Sequence, residues 1–125
     1  MKKVWADRWV KALLSGKFKQ ARGTLCRKRK DGRFGYCCLG VLEVIAGSKF
    51  EKVKGFPTPV IKISNGGVEE AGLTETTQLK TGVKSTSCTL GWAEEEPTSL
   101  IEANDEKRWD FKRIAVFIKK KWRTL

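Results

Sequence analysis

Cysteine is the residue type best suited to metal or nucleophilic chemistry in this chain, and it occurs at positions 26, 37, 38 and 88. The sequence contains no histidine, which excludes Ser-His-Asp and Cys-His nucleophile systems and a histidine general base. Zinc sites usually combine CxxC-type pairs with histidine, whereas Cys37 and Cys38 are adjacent. Because free cysteine is among the most buried residue types, we expect reduced thiols in or near the core, with metal binding, redox chemistry and disulfides as the alternatives.

Signatures of other cofactors are weak. The glycine-rich segments lack the GxxxxGK[ST] pattern of a phosphate-binding loop. The carboxylates at 94–96, together with Asp105, could bind a divalent cation, but an acidic run before a proline is more typical of a solvated loop. An enzyme would have to use Asp, Glu, Lys or the single tyrosine, Tyr36. We therefore expect no cofactor, no metal and no enzymatic activity.

Positive charge is the strongest chemical signal in the sequence. The net charge is +12, and it is unevenly distributed. Residues 1–34 carry a net +10, residues 35–106 a net −5, and residues 107–125 a net +7. Segregated basic charge favours a polyanionic partner, most simply nucleic acid. The alternative is a basic surface that only faces solvent.

Much of the N-terminal charge falls on a predicted β-hairpin. Thr24–Cys26 is typical of a short strand, Lys30-Asp31-Gly32 of a turn, and Arg33–Tyr36 of the returning strand. With Phe34 and Tyr36 beside it, such a hairpin could hold a phosphate backbone and stack a base; a solvated turn between aromatic strands is the alternative. The candidate nucleic-acid contacts are Arg27, Lys28, Arg29, Lys30 and Arg33.

Two predicted helices flank this hairpin in the sequence. The first runs from about Lys3 to Ser15, because Trp5, Trp9 and Leu13 recur at four-residue spacing on one face. The second covers Cys37–Ala46, an almost unbroken apolar segment that the rest of the chain must bury. The hairpin is therefore expected to sit immediately before the core helix.

The C-terminal part of the chain predicts a helical hairpin. A short helix from Pro97 or Thr98 to Ala103 is followed by a turn, and Asp110 caps a second helix that ends near Lys121. Helix-turn-helix binding in a major groove is one interpretation, and an αα-hairpin that closes the core is the commoner one. The candidate phosphate contacts on the last helix are Lys112, Arg113, Lys119, Lys120, Lys121 and Arg123.

Signals in the middle of the chain are weaker. They predict a strand over Val60–Ile63, one helical turn over 68–73, and two short strands near 77–81 and 87–90. Together the elements predict a single α+β domain spanning residues 1–125. In it, the N-terminal helix, the central buried helix and the C-terminal helical hairpin pack on a small antiparallel sheet.

Three sequence blocks resemble a family of small uncharacterised proteins of tailed bacteriophages and prophages. The blocks are WV-x-AL-x-SG-x-F-x-Q over 9–20, YCCLGVL over 36–42, and LI-x-x-ND with W-x-F-x-x-IA-x-x-I over 100–118. The resemblance implies an accessory protein that works inside a bacterial cell, and it carries over no functional residues. The family pattern has another cysteine where Glu43 stands, which weakens a metal interpretation here. The family also tends to be less basic, so a functional basic surface would belong to this member rather than to the family.

These observations predict a non-enzymatic phage accessory protein that binds nucleic acid through the basic hairpin and the C-terminal helix. One alternative is a protein inhibitor of a host enzyme or antiviral defence complex, in which the basic surface covers a host site that normally holds DNA or RNA. Another is a protein that sequesters a nucleotide signal. No apolar run reaches the roughly 18 residues of a membrane span, so we expect no membrane partner and location in the host bacterial cytoplasm.

Overall fold

Helices are the main regular structure of the protein, and their apolar faces form much of its core. The computed structural model describes residues 1–90 and 97–125, so the acidic run at 94–96 lies outside the described residues. The helices are α1 (Lys3–Leu14), α2 (Cys38–Ile45), α3 (Glu75–Thr81), α4 (Leu100–Asp105) and α5 (Phe111–Lys121), followed by a 3-10 turn at Trp122–Thr124. The strands are β1 (Lys19–Gln20), β2 (Cys26–Lys28), β3 (Phe34–Tyr36), β4 (Phe50–Val53) and β5 (Val60–Ile63). The predicted α+β class is confirmed.

The strands form two small sheets. In the first, in the order β1-β3-β2, strand β2 pairs antiparallel with β3, with Arg27 opposite Gly35. Strand β1 adds a parallel pair, with Lys19 opposite Gly35. The second sheet is the antiparallel β4-β5 pair. Strand β2 also packs against β5, which places the second sheet beside the edge of the first.

The core lies where α1, α2 and α5 meet. Trp9 is fully buried, and its indole nitrogen donates a hydrogen bond of 2.8 Å to the carbonyl oxygen of Cys38. The predicted stripe of α5 faces α1, and Ile114 and Ile118 in it are also fully buried. Gly40 is required in α2, because a Cβ there would collide with the backbone of Leu25. The core helix therefore lies directly against the segment that leads into the hairpin.

Two predictions for the middle of the chain are wrong. Residues 68–73 do not form a helical turn, because Glu69 has a φ of 49° and donates its backbone N–H back to the carbonyl of Ile61. Residues 77–81 belong to helix α3 and not to a strand: the Thr74 side chain caps its start and Gly82 ends it in the left-handed conformation. For 87–90, the structure shows only an isolated bridge between Thr89 and Ser99.

Asn104 joins three separate parts of the chain. The side chain is fully buried. Its Oδ1 accepts hydrogen bonds from the Gln20 side chain and the Cys38 backbone N–H, at 2.8 and 3.2 Å. Its Nδ2 donates to the Ala21 carbonyl and the Asp105 carboxylate, at 2.9 and 2.8 Å. An asparagine amide offers two donors and two acceptor positions, so this one is fully satisfied.

Glu43 is a buried carboxylate on α2, fully excluded from solvent. It accepts hydrogen bonds from the Ser48 and Thr77 hydroxyls, both at 2.6 Å, and from the Thr74 backbone N–H at 2.7 Å. The Thr74 hydroxyl also approaches it, at 3.0 Å. Burying a carboxylate is costly unless it is well hydrogen-bonded, and all of these donors except Ser48 come from the start of α3. The carboxylate thus fixes α3 against α2.

We expect Glu43→Ala to lower the free energy of unfolding by about 3 kcal/mol or more, because it leaves several buried donors without an acceptor. Glu43→Gln should cost less, since its amide oxygen still accepts. Glu51→Gln, on the exposed face of β4, is the control and should stay within about 0.5 kcal/mol. Urea denaturation measures all three. An alanine variant as stable as the control would contradict the role given to Glu43.

Candidate nucleic-acid interface

The predicted basic hairpin is present. Its first strand begins about two residues later than predicted, at Cys26 instead of Thr24. The loop between β2 and β3 closes through a 2.7 Å bond from the Arg29 N–H to the Arg33 carbonyl. The Asp31 carboxylate accepts from the Arg33 N–H at 3.0 Å, and Gly32 takes a φ of +85°. Arg29 and Arg33 take part in these hydrogen bonds through backbone atoms alone. The loop therefore holds a defined shape while the two arginine side chains remain exposed to solvent.

The hairpin side chains present concentrated positive charge to solvent. Arg27, Arg29, Lys30 and Arg33 are exposed, and Lys28 is half-buried. Asp31 lies 3.7 Å from the Arg29 side chain; within residues 1–90 and 97–125, the other four basic side chains form no ion pair. A loop with five cations and one carboxylate attracts polyanions strongly, because the field of like charges adds.

The basic residues of α5 divide between its two ends. At its start, the Gln20 side chain donates a 2.8 Å hydrogen bond to the Trp109 carbonyl, which places this end against β1. The Arg113 guanidinium lies over the Trp109 ring, 4.2 Å from its centroid, and Lys112 is exposed beside it. Arg113 is therefore the α5 cation that the structure ties most closely to the hairpin sheet.

The other end of α5 lies at the chain termini, since the Met1 amino group donates to the Leu125 carbonyl at 2.9 Å. Lys119 follows Arg113 by six residues, or roughly 9 Å along a helix axis. The exposed cations at this end are Lys119, Lys120, Lys121 and Arg123. The eleven predicted contacts thus form three groups: the hairpin, the start of α5 and the end of α5.

A cleft beside the hairpin was not predicted from the sequence. It has a volume of about 270 Å³ and lies between β2 and β5. Arg27 and Lys28 line it from one side, and Pro59, Ile61 and Glu69 line it from the other. Because β2 and β5 are far apart in sequence and their pairing is not local, no sequence signal marks this cleft.

A larger groove of about 410 Å³ lies at the end of α1. Its apolar lining includes Phe18 and Ile45, and its basic lining comes from Arg8, Lys11 and Lys17. These three cations contribute to the predicted basic N-terminal segment, but their spacing alone gave no reason to single them out. Phe18 also packs edge-on against Tyr36, with 5.4 Å between the ring centroids.

The prediction that the cysteines are core residues is confirmed, since all four are buried with free thiols. Burial, with a smaller Coulombic effect of the Cys37 thiol, raises the pKa of Cys26 to about 12. Burial also raises the pKa of Cys37 to about 12, although hydrogen bonds from backbone N–H groups oppose it. Burial raises the pKa of Cys38 and Cys88 as well. Such thiols are protonated at neutral pH and therefore poor nucleophiles.

This burial predicts a fall in stability at alkaline pH. Unfolded thiols ionise above about pH 8.5, while the native thiol of Cys37 keeps its proton until about pH 12. Between these values the unfolded state loses protons first, so the free energy of unfolding should fall as pH rises, by about 1.4 kcal/mol per pH unit for each such thiol. Urea denaturation at pH 7, 9 and 10 measures the slope.

Cys37→Ser is the matched variant for this experiment. Cys37 caps α2 by accepting the Gly40 N–H, and serine can make the same cap without a titrating thiol. The variant should show a shallower decline, by about the contribution of one thiol. An unchanged slope would show that Cys37 does not titrate as described.

Comparison with known proteins gives one family match. Residues 1–122 match the family model described as "Domain of unknown function (DUF8296)". No curated protein and no solved structure matches the sequence. In the part of the chain that the structure describes, no helix has the length and apolar character needed to cross a membrane.

Proposed function

Because the chain belongs to the DUF8296 family, whose description assigns no activity, we propose a function from its surface: the protein binds nucleic acid without catalysis, through the basic hairpin. The observation that carries this proposal is the closed hairpin, which has four exposed cations, one half-buried lysine and one acidic neighbour. Phosphate contacts by lysine and arginine supply most sequence-independent affinity for nucleic acids. The buried, protonated thiols and the lack of histidine support binding rather than catalysis.

The start of α5 is proposed as a second point of contact. Arg113 stacks on Trp109, and a stacked guanidinium keeps its donors available at its edge. Lys112 adds a neighbouring cation. The end of α5, with Lys119, Lys120, Lys121 and Arg123, would act as a separate long-range attraction for the polyanion. In line with the resemblance to proteins of tailed bacteriophages, we place this binding in the cytoplasm of the bacterial host.

The hairpin predicts a specific change in salt dependence. We expect Lys30→Gln combined with Arg33→Gln to weaken duplex binding and to reduce the slope of log affinity against log salt by about 1.8, since each lost phosphate contact contributes about 0.9. Both side chains are exposed, so the fold should be unaffected. Fluorescence anisotropy with a labelled duplex and a labelled single strand, at several salt concentrations, measures the slopes.

The control is Lys54→Gln combined with Lys107→Gln, which removes the same charge from two exposed positions outside the predicted contacts. This variant should keep the wild-type slope. Equal losses in the two double variants would show only a diffuse field effect. If the wild-type protein binds neither the duplex nor the single strand at low salt, the proposal is wrong.

The groove at the end of α1 favours a second candidate function, binding of a host protein. Its apolar lining of Phe18 and Ile45 beside three cations suits an acidic segment with an apolar anchor. On this interpretation the protein is an inhibitor of a host enzyme or defence complex.

We expect a partner captured from nuclease-treated host lysate to be lost with Lys11→Glu combined with Lys17→Glu. It should be retained with Lys30→Glu combined with Arg33→Glu, which makes the same charge reversal on the hairpin. A partner that disappears on nuclease treatment, or that is lost equally in both variants, would count against this candidate.

A further inference from the structure

We propose that the cleft between β2 and β5 is a nucleotide-binding site, in which Arg27 and Lys28 hold the phosphate and the Glu69 carboxylate accepts hydrogen bonds from the edge of a guanine base. This inference rests on the proposed function, because it gives the basic hairpin one defined nucleotide subsite in addition to its general attraction for phosphates. The nucleotide can be free or can belong to a strand.

The size of the cleft suits one nucleotide. Its volume of about 270 Å³ is close to the lower end of the roughly 300–1,000 Å³ typical of small-molecule sites. It can therefore enclose a base and part of a sugar, while the phosphate stays near the mouth. A stacked duplex base pair could not enter, so the ligand must be an unpaired or extruded nucleotide.

The charged groups of the cleft are segregated. Arg27 and Lys28 belong to β2, whereas Glu69 belongs to the chain that follows β5. Within the described parts of the chain, none of these three side chains forms an ion pair with another residue. A ligand that carries an anion at one end and hydrogen-bond donors at the other matches this arrangement. Nucleotides combine these groups in one molecule.

Glu69 is held in place by its own backbone. Its φ of 49° lies in the left-handed region, which non-glycine residues enter uncommonly, and its N–H donates to the Ile61 carbonyl at 2.8 Å. The adjacent Val68 forms a bridge with Lys62. This second attachment to β5 directs the chain past the cleft and fixes the origin of the Glu69 side chain.

The hydrogen-bonding properties of a carboxylate favour one base over the others. An ionised carboxylate only accepts hydrogen bonds and has two oxygens in one plane. Guanine presents two adjacent donors on its Watson–Crick edge, at N1 and at the 2-amino group, and unpaired bases are commonly read on this edge. Adenine presents one donor beside the acceptor N1, which a carboxylate repels. The pair of parallel donors therefore favours guanine.

The remaining lining is neutral and suits the flat faces of a base. Pro59 and Ile61 supply apolar contact on the β5 side. Cys26 lies at the cleft as well, and this residue is buried. Burial raises the pKa of its thiol to about 12, so it adds no negative charge that would oppose a phosphate.

Calorimetric titration of the full chain with 5′-GMP, 5′-IMP and 5′-AMP at low salt tests the site. We expect GMP to bind. IMP, which lacks the 2-amino group, and AMP should bind at least about tenfold more weakly, because a hydrogen bond to a charged group contributes about that factor. Equal binding of all three nucleotides would overturn base recognition by Glu69.

Variants of the protein test recognition of the base and of the phosphate separately. Glu69→Gln should weaken GMP binding about tenfold or more, whereas Glu51→Gln, with the same change in charge, should have no such effect. If Glu69 only repels phosphate, Glu69→Gln will instead strengthen binding of every nucleotide, which would overturn the proposal. Arg27→Gln combined with Lys28→Gln should abolish GMP binding, whereas the control Lys54→Gln combined with Lys107→Gln should leave it within about twofold.

Binding of strands, measured in parallel by anisotropy, distinguishes this inference from the function on which it rests. If strands bind with the expected salt dependence but GMP does not bind at millimolar concentration, the nucleotide site is wrong and the basic hairpin alone accounts for binding. If GMP binds with the expected selectivity while strands do not, the site is supported as one for free nucleotides and the general nucleic-acid function fails.

Discussion

The fold depends on a buried amide whose hydrogen-bonding capacity is fully used. The side chain of Asn104 contacts the end of β1, the start of α2 and its own neighbour on α4 through four hydrogen bonds. An unpaired buried polar group costs about 1–3 kcal/mol, so displacement of any one of these elements carries a penalty. The amide therefore defines one arrangement of elements that apolar contacts alone would hold less specifically. Because β1 pairs with β3, it also fixes the base of the basic hairpin.

Glu43 plays a comparable part on the other side of α2. Its hydrogen-bond donors come from Ser48 and from the start of α3, and Lys80 at the end of α3 donates to the Ala46 carbonyl at 2.6 Å. The polar contacts of α2 thus lie at both of its ends, while its middle is surrounded by apolar side chains. This arrangement lets a short helix with few polar residues adopt one position in the core.

The sequence predicted those elements whose signals are local. Helices α1, α2 and α5 have apolar faces with helical spacing, and the hairpin has an Asp-Gly turn, so each could be found from neighbouring residues alone. Helix α3 was missed because Thr74, Thr77 and Thr81 resemble strand residues. Their hydroxyls are satisfied by Glu43 and by the Thr77 carbonyl, and this tertiary compensation overrides propensity.

The candidate site divides in the same way. The basic residues of the hairpin could be predicted, because the charged residues and the turn residues are consecutive in the sequence. The cleft next to them could not, because it exists only where β2 packs on β5 and where Glu69 bonds back to Ile61. For the same reason the sequence did not predict the groove at the end of α1, whose lining brings Lys17 together with Ile45 from the end of α2. A local sequence pattern identifies the charged residues, whereas non-local packing determines which of them line a common cavity.

The three sequence blocks over 9–20, 36–42 and 100–118 serve the fold more than the surface. Gln20, Cys38 and Asn104 each belong to one of the three blocks, and a single hydrogen-bonded cluster joins them. Arg27–Arg33 lies outside all three blocks and is joined to them through strands β2 and β3. A hairpin attached in this way can change its charge without disturbing Asn104 or the core. The three blocks therefore belong to the framework of this protein, while the proposed function rests on the hairpin and cleft that the framework supports.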